Sequence, residues 1–499
     1  MEAFGNLVMG LTSALSITNL FMVLVGVLLG TLVGVLPGLG PTSTIAMLMP
    51  LTAVLSPSSA IIMMAGIFYG AQYGGSTTAI LVNIPGEVSS VPTLLDGYPL
   101  AMQGKAGPAL GIAAIGSFFA GTGGVLLLTF FTPLLAHQAL RFGPPEYFGL
   151  MVLALTVMVS VSGGSLIKGL LMGTLGYLVS LVGLGPNSGM PRFHYGFAVL
   201  YGGIDIVTIA IGVFAVGEIF AGLEESRGAI SLKKIEKVFP SLKDLRQTFP
   251  SMCRGGILGF LLGLLPGCNP AVTAFLSYDI EKKVSRHPER FGKGALEGVA
   301  APESANNATS SASFVPLLAL GIPASPALAV LMGGFMVYGL QPGPLLMMEK
   351  PDLVWTIIAS MYIGNAMLLV LNLPLVGLWA RLTTVPYKIM APVILMICVV
   401  GAYSLRNSMF DVGMTFVFGG VGYLMRKYDW PSAPLVLCSI LGPVLEKAYV
   451  NSLAMSAGSP MIFVTRPICL ALILAAFALL VISLRFMGKT GPGSVKEEY

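Results

Sequence analysis

Two stretches of this chain set prolines and glycines against small polar residues inside otherwise apolar sequence. The first is Pro37, Gly38, Gly40 and Pro41, followed by Thr42, Ser43 and Thr44. The second is Pro266, Gly267, Asn269 and Pro270, followed by Thr273. Proline removes a helix donor and clashes with the preceding turn, while glycine accepts unusual dihedrals, so each motif must unwind a helix. Exposed backbone at membrane depth is tolerated only where it is buried in protein or lines a cavity. The polar residues after each break can cap the half-helix that follows. Its N-terminal amides then point at the break, ready to bind an anion.

Two further polar patches interrupt apolar sequence. One holds Gly75, Ser76, Thr77 and Thr78, with Asn83 shortly after. The other holds Glu303, Asn306, Asn307, Thr309 and Ser310. Polar groups clustered at membrane depth usually line a site. Hydroxyls and carboxamides suit a ligand with several carboxylates, and carbonyls freed by an unwound helix suit a sodium ion. The plainer alternative is that these side chains join helices. Glu303 has two readings: it binds a coupling cation or proton, or it marks the cytoplasmic boundary near Glu297 and Lys293. Glu87 and Asp96 are expected at or beyond a membrane edge, and Asp205 and Glu218 at the borders of an apolar run.

Enzyme chemistry is not expected. His137, His194 and His287 are far apart, no His/Cys metal-ligand spacing or Walker A loop is present, and the five cysteines form no CxxC pair. No cofactor is expected beyond the ion, and no metal site beyond sodium near the residues named above. The basic residues are scattered through loops without interleaved aromatics, which gives no sign of nucleic-acid binding.

The elements that position these residues follow from composition. Of 499 residues, 55% are hydrophobic and 10% charged, against about 25% charged in soluble domains. Apolar runs near the ~20 residues needed to cross a bilayer recur at 20–36, 111–135, 353–371 and 468–484. The 62 glycines and 34 prolines sit within such runs, where they mean close helix packing and broken helices. The start of the chain lacks the basic region of a cleavable signal peptide. The expectation is an all-α, polytopic integral membrane protein with about 10–12 transmembrane helices.

An internal repeat organises the chain. Residues 26–44 align without gaps on 255–273, matching Gly26, Gly30, Gly34, Pro37, Gly38, Pro41 and Thr44 with Gly255, Gly259, Gly263, Pro266, Gly267, Pro270 and Thr273. A weaker second match pairs 75–79 with 307–311 and 84–86 with 322–324. Glycines four apart share one helix face and let another helix approach closely. Such halves are usual in secondary transporters. The predicted organisation is an N-terminal transmembrane repeat (1–223), a basic cytoplasmic connecting segment (224–254), a C-terminal repeat (255–488) and a polar tail (489–499).

Charge orients the halves. The stretch 224–254 carries seven Lys/Arg and 281–293 carries five, whereas residues 1–104 carry none. The positive-inside rule puts both basic stretches in the cytoplasm. The segment between them must enter and return as a re-entrant hairpin, with arms of roughly 11 residues and its tip near mid-membrane. An inverted repeat puts the first hairpin on the opposite face. The competing reading is that each motif kinks a full span.

The stretches GVLPGLGPT (34–42), YGAQYGGSTTAILVNIPGE (69–87), DGYP (96–99) and PESANN (302–307) resemble the large membrane subunit of the tripartite tricarboxylate transporters, and the resemblance runs from about residue 15 to 485. It implies a permease subunit importing citrate or another di- or tricarboxylate, with sodium as the coupling ion. It also implies a periplasmic substrate-binding protein and a small transmembrane subunit as partners, and a multi-pass place in the bacterial inner membrane. The hairpins are expected to carry substrate and ion across by elevator-like alternating access. No arginine lies near either break in sequence except Arg254, so anion recognition is expected to rest on amides and hydroxyls. A channel and a membrane-embedded enzyme are the rival classes.

Overall fold

A computed structural model describes residues 2–36, 40–161, 165–185, 188–224, 238–382 and 387–487. Pro37, Gly38, the basic residues Arg227, Lys233, Lys234 and Lys237, and the tail 489–499 lie outside the described residues. The described chain is almost entirely helical; the exception is a short antiparallel ribbon that pairs Gly183–Leu184 with Pro191–Arg192. In the first half run α1 (Glu2–Ala14), α2 (Ile17–Val35), α3 (Pro41–Leu48), α4 (Pro57–Val82), α5 (Val91–Met102), α6 (Ala106–Ala139), α7 (Pro144–Val161), α8 (Leu166–Ser180), α9 (Ile206–Ala210) and α10 (Gly217–Glu224). Then come α11 (Leu242–Gly263), α12 (Pro270–Val284), α13 (Glu297–Ala312), α14 (Phe314–Leu320), α15 (Pro326–Val337), α16 (Pro344–Glu349) and α17 (Pro351–Asn372). The chain closes with α18 (Val376–Leu382), α19 (Tyr387–Arg406), α20 (Met409–Lys427), α21 (Ser432–Met455), α22 (Ile462–Thr465) and α23 (Pro467–Met487).

Among the described residues, seven helices are long and apolar enough to cross a membrane. Four shorter apolar helices stand beside them, of which Pro41–Val54, Pro144–Ser160 and Pro326–Val337 open on a proline. The membrane character shows in what the helices leave uncovered. Only 11% of the α23 span is buried, and Phe477 on it is 64% exposed. Large side chains bared along a whole helix are at home in lipid and unstable in water.

The two glycine stripes have the same partners in the same order. A Cβ added at Gly26, Gly30 or Gly34 would lie 2.4, 2.6 or 2.2 Å from the carbonyl oxygen of Met63, Ile67 or Ala71 on α4. At Gly255, Gly259 or Gly263 it would lie 2.3, 2.2 or 2.9 Å from the carbonyl oxygen of Ala301, Ala305 or Thr309 on α13. Residue numbers rise together in both sets, so α2 runs parallel to α4 and α11 parallel to α13. Parallel neighbours require the chain to return between them. The helix α3 with the 3-10 turn Met49–Val54 makes one return, and α12 makes the other.

Phe68 of α4 meets Phe314 of α14 edge-on at 5.9 Å, while Ser76 further along α4 shares a pocket with Glu303. The first parallel pair therefore runs opposite to the second. The ladder register, set by which carbonyl each glycine admits, brings Ile84, Pro85 and Gly86 onto Ile322, Pro323 and Ala324. It brings Gly75 onto Ser313, not onto Asn307, so the match of 75–79 with 307–311 is out of register. The hairpin arms are also longer than 11 residues. Ser241 and Asp244 cap α11 inside the basic segment, giving a 22-residue helix, and α2 has 19 residues. At the base of the second hairpin Arg254 donates to both oxygens of Glu281 (2.9 and 2.5 Å), joined by the Ser251 hydroxyl (2.7 Å).

Asp96 stands beside the basic loop, as a membrane-edge residue should, but it is completely buried. Its Oδ1 accepts from the backbone N–H groups of Gly292, Gly294 and Ala295 at 2.9, 2.8 and 2.8 Å, and its Oδ2 from the Tyr278 hydroxyl at 2.9 Å. It pins α5 to the entrance of α13. Hydrogen bonds to a charged acceptor are worth about 1.5–3 kcal/mol each. Asp96→Asn, which keeps the shape but not the charge, is expected to destabilise the fold by at least ~2 kcal/mol on that scale, read as a lower melting midpoint of the purified protein.

Candidate functional site

The two breaks meet in one place. A cavity of about 620 Å³ is lined by Gly40, Pro41, Thr42 and Ser43 from the first break and by Asn269, Pro270 and Ala271 from the second. Ser325, Pro326 and Ala327 form a third wall, the segment from Ile84 to Ser89 a fourth, and Phe68, Gln72, Phe214, Glu218 and Arg426 complete it. Three helices, α3, α12 and α15, thus begin on this cavity, each with proline in its first turn. Proline suits that position because its missing N–H would have had no helical partner. Each start carries roughly half a positive charge from aligned peptide dipoles.

The helix starts are capped differently. Asn269 accepts from the N–H of Val272 (3.1 Å) and Ser325 from that of Leu328 (3.4 Å). At α3 the cap is Gly40, with no side-chain cap bond. The expected capping by Thr42, Ser43 and Thr44 is not what the fold uses. The Ser43 hydroxyl donates to the carbonyl of Phe214 (2.9 Å) and that of Thr44 to Gly40 (3.1 Å). Phe214 lies in the π-helical turn Ile211–Val216, between α9 and α10, where backbone bonding is offset. The amides at the start of α3 are left facing the cavity without a side-chain cap.

The rim carries charge that the sequence placed elsewhere. Arg426, in the last turn of α20, forms an ion pair with Glu218 of α10, and both line the cavity. Next to them Lys427 pairs with Glu224 (3.1 Å), where the chain enters the basic segment. Glu218 is therefore part of the cavity and not only the border of an apolar run. Glu87 likewise lines the cavity, with its Oε1 buried. The expectation of no arginine near a break holds only along the chain. In space Arg426 shares the cavity with both breaks.

Glu303 takes the interior of its two possible places. It is 1% exposed, accepts from the hydroxyls of Thr93 (2.5 Å) and Ser117 (3.3 Å), and borders a small second pocket with Ser76 and Thr77. Asn307 braces it, donating to the Ser117 hydroxyl (2.8 Å) and to Glu303's own carbonyl (3.1 Å).

Several polar candidates turn out to join helices. The Thr309 hydroxyl sits 2.8 Å from that of Thr273 and 2.9 Å from the Gly259 carbonyl, tying α13 to both hairpin arms. Those of Thr78 and Ser310 bond to Gly75 and Asn306 carbonyls of their own helices. Gly75 lets the Glu87 backbone come close, with an added Cβ 3.3 Å from its nitrogen. Gly267, with φ of +86°, turns the second break so that its N–H reaches the Ala324 carbonyl (3.1 Å), while Pro266 precedes it. Asn306 is fully buried with neither amide atom hydrogen-bonded. Asn83, with φ of +57°, ends α4 on an exposed corner and lines neither pocket.

Sequence reasoning missed Ser325 and Arg426. Ser325 was legible, since a small polar residue before Pro326 repeats the Asn269–Pro270 pattern of a helix start. Arg426 had no local signal.

A model of the tripartite tricarboxylate transporter TctA family matches residues 20–437. This chain belongs to the TctA family. It is 49% identical over 485 residues to an Agrobacterium vitis protein described as an uncharacterized 52.8 kDa protein in the TAR-I ttuC' 3' region, with 97% of each chain covered. A second A. vitis protein, described as an uncharacterized protein in the TAR-II ttuC' 3' region, is 46% identical over 215 residues, 43% of this chain and 89% of the relative. No solved structure matches. As a TctA-family member the chain is a multi-pass membrane component of a tripartite transporter, which implies partner subunits.

Proposed function

We propose that this chain is the permease subunit that carries citrate or another di- or tricarboxylate across the bacterial inner membrane with sodium. In this reading a periplasmic binding protein delivers the substrate, and a small transmembrane subunit stands beside the permease. The observation that carries the proposal is the convergence of three helix starts and Arg426 on one cavity. Its volume of about 620 Å³ is ample for a small polycarboxylate, within the usual range for ligand pockets. Partial charges from three helix starts attract an anion without the desolvation penalty of buried lysines. The opposed directions of the α2/α4 and α11/α13 pairs support an inverted repeat, and with it alternating access. Hairpins locked to partner helices by glycine ladders suit an elevator-like carrier in which each hairpin and its partner move together.

The test is uptake of labelled citrate into proteoliposomes that hold this chain and its small partner, with binding protein outside and an inward sodium gradient. Saturable uptake that needs both the gradient and the binding protein supports the reading. Flux that does not saturate would favour a channel, and chemically altered citrate an enzyme. Within that assay Asn269→Ala, which removes the α12 cap and a cavity wall, is expected to lower uptake several-fold, since a lost cap costs ~1 kcal/mol. Thr44→Val, whose hydroxyl faces its own helix, is expected to transport nearly as wild type.

A further inference from the structure

Behind the cavity wall, on another face of α4, lies the small pocket beside Glu303. It is bordered by Tyr73, Ser76 and Thr77 of α4, Ser117 of α6, Glu303 of α13 and Asn372 of α17, with about 10 Å³ of free space. That is room for one water-sized sphere. No lysine, arginine or histidine is among the described residues that line it. An isolated carboxylate taken out of water is strongly disfavoured and persists only with a counter-charge or a proton.

The donor set favours a counter-cation. Besides the carboxylate, the pocket wall holds the buried Ser76 hydroxyl, which faces Glu303, and one buried oxygen without a hydrogen-bond partner, Asn372 Oδ1, on residues 3% and 6% exposed. Buried polar atoms are almost always paired, so an orphan amide oxygen in the same pocket as a buried carboxylate calls for a ligand. The Thr93 and Ser117 hydroxyls that now donate to Glu303 can turn lone pairs inward instead. Carboxylate, hydroxyl and amide oxygens, with no thiol or imidazole, are the set for a hard cation.

We propose that this pocket seats a single sodium ion, held by the Glu303 carboxylate, the Ser76 hydroxyl and the Asn372 side-chain carbonyl. This rests on the sodium-coupled transport reading and assigns the ion its residues. The position explains how occupancy reaches the substrate. Ser76 is one helical turn from Gln72, which lines the large cavity and accepts from Ser89 (3.0 Å) on the cavity wall. Thr93 follows that same wall segment by four residues. A cation that draws Ser76 and Thr93 onto Glu303 closes the wall from behind.

The test is done first on the purified chain without substrate, so that it does not depend on transport. Raising sodium chloride against choline chloride at constant ionic strength is expected to raise the melting midpoint of the wild type in a saturable way. Ser76→Ala and Asn372→Leu should each shift the half-maximal sodium concentration at least tenfold upward, and Glu303→Gln should abolish the response. Should Glu303→Gln fail to fold, the two milder variants still decide. A wild type stabilised by sodium whose variants respond identically overturns this site and leaves the transport reading standing. Stabilisation by lowered pH in place of sodium also overturns it, in favour of a proton on Glu303. Sodium-independent uptake in the proteoliposome assay removes both readings together.

Discussion

Arg426→Ala is expected to lower citrate uptake at least tenfold while the protein still inserts and purifies as a monodisperse species. Arg426 is the one lysine or arginine among the described residues lining the cavity. A guanidinium that meets a carboxylate away from bulk water contributes about 1.5–3 kcal/mol, a factor of roughly 10 to 100. The ion pair with Glu218 sets what the substrate must displace. Glu218→Gln should therefore not weaken uptake in the same way; it removes the carboxylate that competes with the incoming anion for Arg426 and is expected to lower KM or leave it unchanged. Arg426→Lys keeps the charge but loses the planar two-pronged donor, so it should recover only part of the loss. Wild-type KM and rate in Arg426→Ala would show that the helix starts alone suffice.

Gly259→Ala is expected to remove most folded protein. The new methyl would sit 2.2 Å from the Ala305 carbonyl oxygen and 2.8 Å from its Cα. Neither atom belongs to a side chain that can swing away, so α11 and α13 must separate. Small-to-large changes in a packed interior typically cost 1–3 kcal/mol even where side chains can adjust, and here backbone meets backbone. Gly256→Ala is the matched control on the same helix, where an added Cβ meets only the Ala120 side chain at 3.4 Å. Size-exclusion profiles of the two variants in detergent should differ sharply. Equal yields would mean that the ladder is looser than its contacts indicate.

These outcomes bear on what the sequence disclosed. The Pro-Gly breaks and glycine stripes were legible because their effect is local: a missing amide hydrogen or a missing Cβ acts where it stands. The meeting of the breaks, with Ser325 and Arg426, was not, because it depends on how α12, α15 and α20 pack. Hydroxyls misled for a related reason. Thr44, Thr273 and Thr309 are the types a ligand needs, yet each is satisfied by helix backbone or by another helix's hydroxyl, and sequence does not say which way a hydroxyl turns. Asp96 looked like an edge residue by its neighbours in the chain and Glu303 had both an interior and an edge reading; loops and helices far away in sequence bury both.

The π-helical turn at Ile211–Val216 has a consequence for the rim of the cavity. Such a turn acts as a single extra residue inserted into the continuous helix from Ile206 to Glu224. Each residue of an α-helix advances the azimuth by about 100°. Everything after the turn is therefore rotated by that angle from the phase Asp205 and α9 would dictate. Glu218 reaches Arg426 only in this rotated phase; a regular α-helix of the same length would swing it about 100° around the helix axis, away from the cavity, whereas deleting one residue within the turn would remove the insertion and leave Glu218 in place. The charge at the mouth is thus aimed by an insertion in helical phase, which two chains can differ in while every lining residue stays the same.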